Sequence, residues 1–174
     1  TPWEGSSLQN VTVYIINAAD AKLYHNRAAQ PSPTILNAKK LVDADVNAST
    51  MTGMLKDDIQ PNISDAGYNT LHSFYCYENM IDAETDTKKF TRMIIQADLN
   101  GTTYYYPISI NREGFGYDSS VGHMGVKRNT SYAINVTILR PGSLDPDKPV
   151  EHSTLKTTLN VVNWATAPTV NVIF

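Results

Sequence analysis

Apolar and polar residues alternate at a spacing of two in several separate stretches of this chain, which is the period of half-buried strands and not of helices. The clearest stretch is "FTRMIIQADLNGTTYYYPISI". It reads as two strands, residues 90–99 and 102–110, joined at Asn100-Gly101, because Asn and Gly both tolerate the positive φ that a type I′ hairpin turn requires. On the first strand Met93, Ile95, Ala97 and Leu99 share one face, and Arg92, Gln96 and Asp98 share the other, which predicts one core side and one wet side. Pro107 has no N–H to give a ladder, so the second strand is expected to be an edge or to bulge there.

The same pattern returns in "SYAINVTILR", with Tyr132, Ile134, Val136 and Ile138 opposite Asn135 and Thr137. It returns again in "STLKTTLNVVNW", with Leu155, Leu159 and Val161 opposite Lys156, Thr158 and Asn160. Between them "PGSLDPDKPVEH" has loop chemistry. Residues 8–16 and 71–79 read as further strands. "MTGMLKDDIQ" is expected to form a short helical turn with Met51, Met54, Leu55 and Ile59 inward, although Gly53 weakens it. Seven or more short antiparallel strands, with at most one short helix, predict an all-β sandwich over residues 1–174 as a single domain.

The last residues carry the pattern to its end. In "TVNVIF", Val170, Val172 and Phe174 alternate with Thr169, Asn171 and Ile173. Burying such side chains is worth roughly 1.5–3 kcal/mol each, so this strand needs cover from its own molecule or another. Val161 and Trp164 anchor the strand before it. Ala165-Thr166-Ala167-Pro168 forms a connector of small residues, in which Pro168 keeps Ala167 extended.

Composition narrows the chemistry. The chain has 174 residues and a formal charge of -3, with Lys and Arg scattered, so nothing resembles the basic patch that nucleic acid would need. No apolar run approaches the roughly 18 residues of a membrane-spanning helix. The start at Thr1 without Met points to a processed or trimmed chain. Cys76 is the single cysteine, which excludes an internal disulfide. The N-x-S/T triplets at Asn10, Asn47, Asn62, Asn100, Asn129 and Asn135 follow from a composition rich in Asn, Thr and Ser, and are not taken as glycosylation sites.

No catalytic or metal site is expected. His25, His72, His123 and His152 lack ligand spacing, and Ser119 and Ser120 lie in neither a nucleophile elbow nor a P-loop. Gly114, Gly116, Gly122 and Gly125 around them supply turn geometry. Asp57-Asp58 and Asp145-Pro-Asp147 offer too few oxygen ligands for a calcium loop of the usual form. Tyrosine is abundant, ten against four phenylalanines, and the run Tyr104-Tyr105-Tyr106 must send rings to both faces of its strand.

Taken in order, "SFYCYEN", "YYYPISI", "VKRNTSYAINVTI" with its following Pro/Gly/Asp loop, and "LNVVNWATAPTVNVIF" resemble the C-terminal domain of the Bacteroidales fimbrillins, the subunits of type V pili. The resemblance runs from about residue 8 onward. Its most specific parts are the aromatic-Glu-Asn block at residues 74–79, the Arg128-Asn129 pair ahead of Tyr132, and Trp164. It implies a transthyretin-like, Greek-key sandwich, one of two in a protein exported as a lipoprotein and matured by proteolysis at the cell surface. It also implies a fimbrium at the outer membrane as the location, other pilus subunits as partners, no cofactor, and membrane contact only through a lipidated precursor. The N-terminal domain, lipidated cysteine and cleavage site of a whole fimbrillin are absent here, so the chain is expected to be a fragment or a short member.

In these pili the terminal strand of one subunit is thought to fill a groove in the next, a form of β-strand addition. Carried onto this chain, residues 169–174 are the polymerisation strand, 165–168 the hinge, and Val161 and Trp164 the anchor. A second reading is an adhesin that binds host protein or glycan through its tyrosines or the Gly-rich loop at 111–127. A third, an accessory domain of a secreted glycosidase, would need two facing carboxylates in a cleft.

Overall fold

The computed structural model describes residues 7–19, 35–36, 56–59, 62–63, 67–76, 78–80, 90–115, 117, 119–150 and 154–163. Eight strands occur among them: β1 Gln9–Ile16, β2 Ala18–Ala19, β3 Ile35–Leu36, β4 Lys56–Asp58, β5 Arg92–Leu99, β6 Thr102–Ser109, β7 Thr130–Ile138 and β8 Leu155–Asn163. All pairings are antiparallel. The helical content described is one 3-10 turn at Ser119–Val121. The all-β antiparallel class expected from the alternation therefore holds.

One sheet has the order β4-β1-β5-β6, while β2-β3 and β7-β8 form two-stranded ribbons. The predicted hairpin is the β5-β6 pair, in register from Arg92 opposite Ser109 to Leu99 opposite Thr102. Asn100 and Gly101 turn it with φ of 51° and 78°. Period-2 alternation gives the large sheet two faces. Toward the interior point Val11, Val13, Ile95, Ala97, Tyr106 and Ile108, and onto them pack Ile134, Val136 and Ile138 of β7 and the buried Leu155 of β8. The β7-β8 ribbon is thus a second layer over the first.

The other face of the large sheet differs from the expectation. Arg92 and Ile94 are buried there, and Ile94 clusters with Tyr14 and Ile16 under Tyr105. At this end the Pro-rich loop after β7 places Asp147 2.9 Å from the Arg92 guanidinium. Gln96 and Asp98, nearer the hairpin turn, remain partly exposed as expected. The tyrosine run divides as the strand period demands, with Tyr104 and Tyr106 inward and Tyr105 in the second cluster.

Two further expectations are corrected. Lys56–Asp58 is not helical but is strand β4, paired with β1 from Thr12 opposite Asp58 to Tyr14 opposite Lys56. The Thr12 hydroxyl donates to Asp58, and the N–H of buried Ile59 donates to the Val11 carbonyl, so pairing with β1 overrides a weak local helix preference. Met51, Met54 and Leu55 lie outside the described residues. Residues 71–76 alternate in burial as a strand would, yet they join no ladder; only Asn79 makes an isolated bridge, to Val126.

Candidate assembly surface

Of the residues singled out for assembly, Val161 lies in β8 opposite Tyr132. Trp164, the connector Ala165–Pro168 and the terminal strand Thr169–Phe174 lie outside the described residues, as do His25, His152 and Gly116. What is described is the surface from which that segment departs.

β7 and β8 pair along their full length, from Thr130 opposite Asn163 to Ile138 opposite Leu155, and the Leu139 and Arg140 N–H groups close the ribbon on the Thr154 carbonyl. The inward residues Tyr132, Ile134, Val136 and Ile138 are only half-buried, and so are Leu159 and Val161. Among the described residues, Leu159 and Val161 do not join the three buried clusters. Among the described residues, neither outer edge of the ribbon has a strand partner. Among the described residues the ribbon therefore carries half-buried apolar side chains beside backbone that no described strand pairs, the two features that suit a sheet edge to taking on another strand.

The two margins of the large sheet are each guarded against a further strand. At β6 the N–H and C=O of Tyr105 point outward to Ser143, at 2.8 and 2.9 Å. Pro107, two residues along, turns its nitrogen to the same outer side, so its missing N–H costs the β5-β6 ladder nothing and also denies the margin a donor. This is the edge position expected of it. Gly142 makes the approach feasible, since a Cβ there would lie 2.4 Å from the Tyr105 carbonyl oxygen. At the opposite margin β4 is three residues long and carries Lys56, Asp57 and Asp58. Short charged strands resist edge-to-edge pairing.

The ribbon's first residues are clasped by the block at 74–80. The Glu78 carboxylate accepts from the backbone N–H, Nε and Nη2 of Arg128 at 3.1–3.3 Å. Asn79 and Val126 exchange backbone hydrogen bonds one step further in. Phe74 and Cys76 share with Tyr132 and Ile134 the cover over Ile15, Ile110 and Val126. Burial pushes the Cys76 thiol up to about 11, so it is a packing group and not a nucleophile at neutral pH. The Tyr132 hydroxyl accepts from the Lys127 N–H and lies 2.9 Å from His123 Nε2, and its pKa is raised, chiefly by burial. His72 sits between Tyr68 at 2.7 Å and Asp57 at 3.0 Å, tying the segment to β4.

Sequence reasoning missed a buried polar hub beneath this clasp. Asn17 and Asn111 follow the last apolar residues of β1 and of the β6 segment, both with left-handed φ of 55° and 53°. Asn79 donates to the Asn17 carbonyl and to Thr91, Thr91 donates to the Asn17 carbonyl, and Asn17 donates to the Phe90 carbonyl. Asn111 holds the carbonyls of His123 and Gly125, and Arg112 lies buried 3.7 Å over the Phe90 ring. The available signal was an Asn directly after an Ile at the end of an alternating run, at Ile16-Asn17 and Ile110-Asn111. Asp145 and Asp147, weighed as ion ligands, have other partners: Asp147 pairs with Arg92, and Asp145 accepts the Asp147 N–H.

The major fimbrium subunit FimA type-5 of Porphyromonas gingivalis is 28% identical over 117 residues, covering 61% of this chain and 29% of that protein. The type-2 subunit of the same organism is 33% identical over 88 residues, 48% of this chain and 23% of that protein. The chain thus spans under a third of the length of the curated relatives it matches. A crystal structure from Parabacteroides distasonis ATCC 8503, described as a cell adhesion protein, superposes with a TM-score of 0.53 at 17% identity, over 92% of this chain and 54% of that one. It shares the fold. A family profile for the FimA4 pilin C-terminal domain matches residues 40–164, including the clasp of Glu78 on Arg128 and all of β5 to β8. The chain belongs to the FimA4 pilin C-terminal domain family.

Proposed function

We propose that this chain is a structural, non-enzymatic part of a cell-surface fimbrium, a transthyretin-like sandwich that joins other pilin subunits by exchange of its C-terminal strand. Residues 169–174 dock on the molecule as an edge strand, residues 165–168 form the hinge, and Val161 with Trp164 anchors the strand before it. The observation that carries the reading is the β7-β8 ribbon. Its inner face is half-buried, and among the described residues neither of its outer edges has a strand partner, while the large sheet is bridged at β6 by Ser143 and bordered on the other side by the short, charged β4. Family membership and the Porphyromonas gingivalis fimbrium subunits support the location and the class of partner.

Deleting residues 169–174 is expected to leave a folded domain, with native circular dichroism and cooperative unfolding, that no longer polymerises. Polymers that persist unchanged by size-exclusion chromatography and electron microscopy overturn strand exchange.

A further inference from the structure

We infer that residues 71–76 are a strap poised to close on β7 as a third strand of the β7-β8 ribbon, shutting the ribbon's edge on that side. The inference goes beyond strand exchange and does not depend on residues 169–174.

The strap is held at both ends and unpaired between them. At one end Asn79 and Val126 exchange backbone hydrogen bonds of 2.8 and 3.0 Å, an antiparallel rung just ahead of β7. Toward the other, His72 lies 3.0 Å from Asp57 of β4. Yet among the described residues no N–H or C=O of residues 71–76 takes a backbone partner, and the outer edge of β7 has no strand partner. Two unpaired backbone rows therefore lead away from one shared rung.

Side-chain faces set the register in which they meet. On β7, Thr130, Tyr132 and Ile134 are half-buried, while Ser131, Ala133 and Asn135 are exposed; on the strap, His72, Phe74 and Cys76 are half-buried, while Leu71, Ser73 and Tyr75 are exposed. Phe74, Cys76, Tyr132 and Ile134 already pack on the same buried cluster of Ile15, Ile110 and Val126. Residues directly opposite in a sheet share a face, so the match is Cys76 opposite Thr130, Phe74 opposite Tyr132 and His72 opposite Ile134.

The existing rung is one residue out of that register. Three steps separate Asn79 from Cys76 (79 − 76), and four separate Val126 from Thr130 (130 − 126). One extra residue on one strand is a β-bulge, and a left-handed residue is one of its forms. Asn129 lies inside the longer stretch with a φ of 54°. The chain ahead of β7 thus already carries the bulge that the closed ladder needs. Closure also sets Tyr75, 63% exposed, beside Ser131 and Ala133, and it takes up the row of β7 backbone groups that a foreign strand would use.

Two measurements on the full chain test the strap. The Asn79 N–H points to the β7 side, and by the period of two so do those of Ser73 and Tyr75 in the closed form. In the unmodified protein these two amides are expected to exchange roughly tenfold or more slower, after correction for sequence, than those of Asn69 and Thr70, exposed residues just before the strap. In a Cys76→Ser background, Ser73→Cys with Ala133→Cys, both at exposed sites, is expected to oxidise to an intramolecular disulfide, since opposite residues stand within disulfide reach. Ser73→Cys with Thr137→Cys, four residues further along β7, should cross-link at least tenfold more slowly. Exchange at Ser73 and Tyr75 as fast as at Asn69 and Thr70 overturns the strap, and so do equal rates of cross-linking in the two pairs.

Discussion

Gly125 shows how one residue sets the geometry of the clasp. Its φ is 73°, a region open mainly to glycine, and an added Cβ would lie 2.5 Å from the Asn79 carbonyl oxygen. That oxygen accepts the Val126 N–H, so it cannot withdraw without breaking the bridge. Gly125→Ala is therefore expected to cost about 2–4 kcal/mol in urea unfolding, from backbone strain plus the clash. Gly101→Ala is the control. Its φ is also positive, at 78°, but nothing lies within 4 Å, so the strain alone should cost about 1 kcal/mol. From sequence both glycines read as turn residues. The difference between them depends on Asn79, 46 positions away from Gly125 (125 − 79), and no local pattern records such a neighbour. The Asn hub was illegible for the same reason: Asn is common in turns and on surfaces, and only the meeting of four distant segments makes it a core residue.

Among the elements, the β5-β6 hairpin was fully legible because its information is local: an alternating run, an Asn-Gly turn, and a second run broken only by Pro107. β7 and β8 were legible for the same reason. β4 was not, since its three residues acquire strand geometry only from β1, and the 71–79 segment was over-read because alternation reports which side is buried and not whether a partner strand is present. The Asp147 loop gives a test at this scale. Arg92 is 5% exposed and its guanidinium lies 2.9 Å from Asp147, so Asp147→Asn leaves a buried guanidinium without its carboxylate. The expected loss is about 1–3 kcal/mol by urea unfolding, kept below the cost of a fully buried pair by the partial exposure of the aspartate. Arg128→Ala tests the clasp. Because the pair lies at the surface, its expected effect is local: faster amide exchange at Asn79 and Val126, with little change in the unfolding midpoint.

At the scale of the whole molecule, the buried titrating groups set an alkaline limit to stability. Burial pushes Cys76 up to about 11 and Tyr106 to about 12, and raises Tyr14 as well. In the unfolded chain a thiol releases its proton near 8.5 and a phenol near 10. Between the unfolded and folded values the native state holds more protons, so the contribution of these groups is level below about pH 8.5 and is lost as pH rises toward 12. Urea midpoints measured from pH 7 to 11 should show this decline. With Cys76→Ser, the onset should move toward pH 10, where the tyrosines begin to contribute.

The two unlike margins of the four-stranded sheet bear on how a filament of such units could grow. With one border capped by a proline and a bridging loop and the other short and charged, extending that sheet back to back with a second copy is disfavoured at either border. In the strand exchange proposed above, a tail meets a differently built edge, and such a head-to-tail contact extends into a filament wherever its rotation does not close a ring. Length would then be unlimited by the subunit's own shape, and stopping would require a member of the series that lacks either the tail or the landing site.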